Sequence, residues 1–209
     1  MIEIFADIEQ NTPEWHAVRA GVITASEFST VMASGKGGGD SKVRRTYMLK
    51  LAGEILTGAP AESYSNQHME RGHEHEAQAR LDYEFLQDVQ VQQVGFIKNF
   101  GVGYSPDGLV GTDGLVEFKS QVPHLLIDRL LRDTFPPEHK AQCQGGLWVS
   151  EREWIDINVS WPGLPKFTKR AYRDEAYIID IIAAVKRFRD ELDEVVEQIR
   201  AMGGVAVAA

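Results

Sequence analysis

Asp107, Glu117 and Lys119 have the types and spacing that chemistry needs. They lie in the stretch from Gly103 to Ser120, GYSPDGLVGTDGLVEFKS. In it an acid follows a turn-forming proline, a glycine-rich reversal comes next, and an acid and a lysine stand two apart in an apolar run. Strand side chains alternate faces, so Glu117 and Lys119 point one way while Val116 and Phe118 point into a core. Carboxylates bind hard divalent cations through oxygen, and a lysine beside them can take or relay a proton. The set suits metal-dependent cleavage of a phosphodiester.

That chemistry requires the two acids to meet. The stretch reads as a β-hairpin whose second arm is a buried edge strand. A reversal centred on Thr112 sets Asp107 opposite Glu117, where directly opposed residues stand about 5 Å apart. A two-residue turn at Asp113-Gly114 would instead offset the acids by three residues and keep them from sharing an ion. The wider turn is the one this reading adopts. Taken singly, Pro106-Asp107-Gly108 is an ordinary turn and Glu117 with Lys119 an exposed pair. Together on a packed strand, such charges need partners or metals.

The remaining elements must position that hairpin. Asn11-Thr12-Pro13-Glu14 starts a helix with a capping side chain and proline in the first turn, ending at Gly21 after Arg19. Thr24 and Glu27 have capping-box spacing before a short helix bearing Phe28, Val31 and Met32. Ser34 to Ser41, SGKGGGDS, lacks the order of a phosphate-binding loop and reads as a flexible connection. Lys42 to Leu56 is helical with Val43, Tyr47, Leu51 and Ile55 as its stripe, stopping at Thr57-Gly58.

A longer helix is expected over Asn66 to Leu86. His73 and His75 within it are two apart and diverge, unlike the four-residue spacing of a zinc-protease helix, so surface positions suit them. Glu76 has Gly72 one turn before it and Arg80 one turn after, and pattern alone makes it a salt-bridged helix residue. Val89 to Lys98 is read as one strand. Helices follow at Val122 to Leu131 and Pro137 to Val149. In the second, Gly145 and Gly146 cost about 1 kcal/mol each relative to alanine, so close packing must require them, and Gln142 or Gln144 would project.

Glu153 to Trp161 alternates as a strand. Pro162 to Arg173 interleaves Lys166, Lys169, Arg170 and Arg173 with Phe167 and Tyr172, which suits either a nucleic-acid backbone or a solvated loop leading into a last strand. Asp174 to Met202 is a long amphipathic helix with Ile178, Ile181, Ile182, Val185, Phe188, Leu192, Val195 and Ile199 inward. Residues 203–209 are expected to fray.

Composition sets outer limits. The 209 residues, 43% of them hydrophobic, suit one α/β (α+β) domain with a mixed central sheet flanked by helices. A net charge of −9 argues against binding a polyanion by bulk charge but not through a local basic surface. No apolar run approaches a membrane span and the N-terminus lacks a signal-peptide pattern, so a cytoplasmic protein is expected. The single cysteine, Cys143, rules out an intramolecular disulfide and an iron–sulfur cluster, and suits packing.

Three blocks in order resemble the phage lambda-type exonuclease family of viral recombination nucleases, in the wider PD-(D/E)xK superfamily. They are Glu14-Trp15-His16 through Arg19 with Gly21-Val22-Ile23-Thr24-Ala25-Ser26; Ser105-Pro106-Asp107-Gly108 with Leu115-Val116-Glu117-Phe118-Lys119; and Ala141-Gln142-Cys143-Gln144 with Leu147-Trp148-Val149. The resemblance implies that Asp107, Glu117 and the Phe118 carbonyl hold Mg²⁺ or Mn²⁺, that Glu76 completes the acidic set, and that Lys119 activates water. It implies that Arg19, Ser26, Ser105 and Gln142 grip phosphate, with Gln142 preferred to Gln144 on this ground alone. It further implies a Mg²⁺-dependent 5′→3′ exonuclease on ends of linear duplex DNA in a bacterial host, of phage or prophage origin. The expected assembly is a ring-shaped homotrimer, with a single-strand annealing protein as partner. An endonuclease on the same core and a non-catalytic DNA-end clamp are the rival readings.

Overall fold

A computed structural model describes residues 1–35, 41–61 and 67–203, with the backbone alone over 67–75. The middle of the SGKGGGDS loop, Gly72 and the His73/His75 pair, and the tail beyond Gly203 therefore lie outside the described residues or side chains. In chain order the elements are β1 (Glu3–Phe5), α1 (Pro13–Arg19), β2 (Ile23–Thr24), α2 (Phe28–Met32), α3 (Lys42–Thr57), α4 (Gln67–Gln87) and β3 (Val91–Gln92). They continue with β4 (Phe96–Asn99), β5 (Val102–Tyr104), β6 (Gly108–Val110), β7 (Gly114–Ser120), α5 (Pro123–Arg132), α6 (Lys140–Ser150), β8 (Trp154–Ser160), β9 (Phe167–Tyr172) and α7 (Glu175–Ala201).

Helix boundaries follow their capping chemistry. Thr12 accepts from the Trp15 N–H at the start of α1, and Asp174 accepts from the Tyr177 N–H at the start of α7. Gly58 ends α3 in the left-handed region, φ 67°. The expected box at Thr24 does not form: its hydroxyl meets Ser26 Oγ at 3.2 Å, and a 3-10 turn at Ala25–Glu27 precedes α2. The stripe of α3 is also shifted, with Met48, Leu51 and Ala52 buried and Val43 exposed. On α7 the buried face runs through Ala184 and Val196, leaving Ile182 and Ile199 exposed.

The strands make two sheets. One runs β1-β4-β5-β2, the other β3-β6-β7-β8-β9. The second is mixed, because β7 and β8 are parallel while β6/β7 and β8/β9 are antiparallel. This is the helix-flanked mixed sheet expected from sequence. The single strand expected over Val89 to Lys98 is in fact β3 and β4, which belong to different sheets. The break is at Gly95, where a Cβ would stand 2.1 Å from the Ile8 carbonyl oxygen. β7 is the middle strand, not an edge, because β8 covers its second hydrogen-bonding side along its whole length.

Both faces of that sheet are covered. Leu115 joins the main core with α2, α3, α6 and α7, whereas Val116 and Phe118 pack under Ala79 and Tyr83 of α4. A third cluster places Leu126 of α5 on Ile157, Val159 and Phe167. α6 is seated through its glycines as expected: a Cβ on Gly145 would lie 2.2 Å from the Phe28 ring, and one on Gly146 2.8 Å from the Tyr104 ring. Gly53, on the exposed side of α3, has open space instead.

These two environments give opposite outcomes for one substitution. Gly145→Ala should destabilise by about 1–3 kcal/mol through overpacking against fully buried Phe28. Gly53→Ala should stabilise by about 0.5–1 kcal/mol through helix propensity. Urea unfolding of the two variants checks both signs.

Candidate active site

The chain crosses from one sheet to the other through Ser105-Pro106-Asp107, between β5 and β6. This is where the sequence-predicted residues gather. Gly108 pairs with Val116, Leu109 with Leu115 and Val110 with Gly114, so the reversal is centred on Thr112 and one further step sets Asp107 opposite Glu117. Arg152 holds the hairpin tip, its Nη1 donating to the Gly111 carbonyl at 3.1 Å and the Gly114 carbonyl at 2.7 Å. The wider turn is the one formed.

Glu117 is 2% exposed and carries three donors. Tyr104 OH donates to Oε2 at 3.0 Å, Lys119 Nζ to Oε1 at 2.7 Å, and Gln142 Nε2 also to Oε1. Burial first, and then Glu117, push the Tyr104 phenol well above its ordinary value, so it stays protonated and donates. Burial alone would pull Lys119 down, but Glu117 and Asp107 together hold it above its ordinary value as an ammonium. To take a proton, as expected from sequence, Lys119 must first give up its own, which added positive charge beside it would favour. Gln144 is directed elsewhere, donating to the Tyr172 carbonyl and accepting from the Asp174 N–H. The geometry thus brings Gln142, not Gln144, to the acids.

Asp107 Oδ2 accepts from the Phe118 N–H at 2.7 Å. The N–H and C=O of one strand residue point to the same side, so the Phe118 carbonyl faces the gap where β6 has ended. Burial, then Glu117, raise the Asp107 carboxyl well above its ordinary value; Glu76 adds to this, and Lys119 and the Phe118 N–H oppose it. Glu76, half-buried on α4, is thereby within electrostatic reach of Asp107. Among the described residues no three His, Cys, Asp or Glu side chains form a ready metal cluster. Two crowded carboxylates, a third nearby and an open carbonyl do fit Mg²⁺, which uses one or two protein carboxylates and keeps several waters.

Beside the acids stands a cationic group. Arg19 Nη1 donates to Ser105 Oγ at 2.7 Å, and Trp15 Nε1 donates to the same oxygen at 3.0 Å and to the Gly95 carbonyl at 2.9 Å. The Arg19 guanidinium lies 4.0 Å over the Trp15 ring. Ser26 is exposed on a cavity of about 90 Å³ that Arg19, Thr24, Tyr47 and Lys50 also line. Lys166, Lys169, Arg170 and Arg173, by contrast, pair with Asp82, Asp133, Asp156 and Glu175, and all but Lys166 and Arg173 lie within β9. Their charges are paired within the fold, and Phe167–Tyr172 is itself the last strand rather than a solvated loop leading into one.

Sequence reasoning missed Tyr104, Trp15 as an anchor, and Gln10, whose Nε2 donates to the Pro106 carbonyl at 2.8 Å. Tyr104 alone carried a signal, as a polar-tipped ring in an apolar strand three residues before Asp107.

Residues 14–153 match the family described as a YqaJ-like viral recombinase domain. No match was found among curated proteins. Among solved structures, the alkaline exonuclease LHK-Exo from Laribacter hongkongensis is 33% identical, with a TM-score of 0.82 over 91% of this chain and 97% of that one. LHK-Exo in complex with dAMP gives 34% and 0.83 over the same shares. A phage-related exonuclease from Haemophilus somnus 129PT, 14% identical, shares the fold, with a TM-score of 0.67 over 85% of this chain and 96% of that one.

The raised Asp107 carboxyl has a definite sign. A carboxyl raised on folding binds its proton more tightly in the native state, so its contribution favours the fold at low pH. That contribution is lost as pH climbs from the unfolded value of about 3.9 through the raised native one. Asp107→Asn, with divalent ions chelated, should therefore exceed the parent in stability at pH 8. The gap should close toward pH 4. Urea unfolding at both pH values provides the check.

Proposed function

The chain belongs to the YqaJ-like viral recombinase family, and from that premise we propose that this nuclease is a Mg²⁺-dependent 5′→3′ exonuclease acting on linear duplex DNA. The observation that carries the reading is the meeting of Asp107 with Glu117 while Lys119 donates to Glu117, all at the junction of two sheets. Likeness to an alkaline exonuclease over nine-tenths of the chain supports it, as does the dAMP complex of that exonuclease.

Asp107, Glu117, Glu76 and the Phe118 carbonyl would hold Mg²⁺ or Mn²⁺. Bound there, the ion supplies Lewis-acid stabilisation of charge on the phosphoryl oxygens and leaving group. Lys119, held 2.7 Å from Glu117 and partly open to solvent, orients the attacking water and takes up or relays its proton. Tyr104 keeps Glu117 facing the reaction by donating to its inner oxygen. Arg19 with Ser105, Ser26 and Gln142 grips phosphate, since a guanidinium fork and hydroxyls match its oxygens. A terminal 5′-phosphate held behind the acids sets the direction of digestion and leaves a 3′ single strand.

That product is what a single-strand annealing protein needs, so we place the enzyme in phage-type recombination within a bacterial cytoplasm. A homotrimeric ring threaded by duplex is the assembly this reading favours.

End chemistry tests the phosphate grip. Linear duplex with 5′-phosphate ends should be digested faster than the same duplex with 5′-hydroxyl ends, and Arg19→Ala should remove the difference; equal rates for the parent would overturn the grip. Lys119→Ala should lower kcat by about 10²–10⁴-fold. A clamp that only binds ends would leave both duplexes whole.

A further inference from the structure

We propose that Tyr83, Asp156 and Arg170 form a clamp that positions Glu76 against Asp107 and Glu117, and so sets the affinity of the site for divalent cations. The inference rests on the reading of Glu76 as part of the cation-holding set.

Glu76, Ala79 and Tyr83 share one face of α4 at i, i+3 and i+7 spacing. Ala79 and Tyr83 are buried on Val110, Val116 and Phe118, and the Tyr83 ring meets Phe118 edge-on with centroids 5.8 Å apart. Phe118 is the residue whose N–H holds Asp107, so this face of α4 rests directly on the backbone of the site. That apolar contact alone would leave the helix free to turn or slide a little. Directed bonds oppose that: Glu84 Oε1 accepts from the Val91 N–H at 2.7 Å, and Tyr83 OH donates to the buried Asp156 Oδ2 at 2.6 Å.

Asp156 is itself immobilised. It is 2% exposed on β8, and Arg170 of β9 grips both its oxygens at 2.8 Å while lying 3.5 Å over the Trp154 ring. The network thus ties α4 to two strands of the sheet that carries Glu117. Buried ion networks seldom stabilise better than apolar packing would, and their best-attested use is to fix register. Glu76 lies two turns from Tyr83, about 10 Å along the helix, so fixing the rotation of α4 fixes where its carboxylate falls. The other tie from this part of α4 to β9's approach, Asp82 with Lys166, is partly exposed and constrains less.

Manganese binding to metal-depleted protein, read by electron paramagnetic resonance, tests this without reference to turnover. Glu76→Gln should weaken binding, and Tyr83→Phe, which keeps the ring on Phe118, should weaken it about tenfold. Arg170→Lys, which keeps the charge but loses the fork, should act in the same direction and serves if Tyr83→Phe folds poorly. Adding Tyr83→Phe to Glu76→Gln should cost nothing more, because the clamp acts through Glu76. Val196→Ala, a core truncation at the far end of α7, should leave binding unchanged. Parent-like binding by Tyr83→Phe while Glu76→Gln is weakened would overturn the clamp alone. So would an equal loss in Val196→Ala, or additive losses in the double variant. Parent-like binding by Glu76→Gln would overturn the role of Glu76 and the clamp with it.

Discussion

Glu117 is a carboxylate on the middle strand of a sheet whose two faces are both covered, and much of the fold is arranged around keeping it there. Stripping an ion of its water costs several kcal/mol unless charge and hydrogen bonds replace it, and charge-assisted bonds return about 1.5–3 kcal/mol each. Tyr104, Lys119 and Gln142 supply that replacement from β5, from β7 itself and from α6. Gly146 lets α6 come close enough to pack on the Tyr104 ring, and Gly145 does the same for Phe28. The glycines of α6 are therefore part of how the carboxylate is held, one link removed.

The second acid depends on the join between sheets. Asp107 sits where the chain leaves β5 for β6, and Gln10 and Trp15 fasten that crossing from the N-terminal segment by bonds to Pro106, Ser105 and Gly95. The same Ser105 receives Arg19, so the crossing places a guanidinium beside the two acids, as the proposed phosphate grip and cation site require. Phosphodiester chemistry asks for that adjacency, because the substrate presents negative phosphate to both. The net charge of −9 does not oppose it, because many of the acids lie exposed on α7, although Glu27 and Glu54 do line the cavity beside Arg19.

Much of this was legible from sequence, for identifiable reasons. The hairpin register followed from counting residues about Thr112, and α6 packing followed from two glycines where a helix would not otherwise keep them. Other features depend on distant partners that no local pattern reveals. β7 reads as an edge because β8, its parallel neighbour, comes more than thirty residues later. Val89 to Lys98 reads as one strand because the contact that divides it, Ile8 against Gly95, is remote in the chain. The basic segment resembles a nucleic-acid surface until Asp82, Asp133 and Asp156 are seen to pair with it. Gln142 and Gln144 lie on different sides of α6, and no local pattern says which side meets the acids; the family resemblance preferred Gln142, and the tertiary contacts agree.

A buried acid pair beside a phosphate grip is proposed to make a nuclease that works from an end. Incubating linear duplex and covalently closed circular duplex of the same sequence with the protein and Mg²⁺ addresses it most directly. The linear form should be degraded progressively from its 5′ ends while the closed circle stays intact. Conversion of the circle to nicked or linear products, by parent protein but not by Asp107→Ala, would contradict the claim and make the site that of an endonuclease.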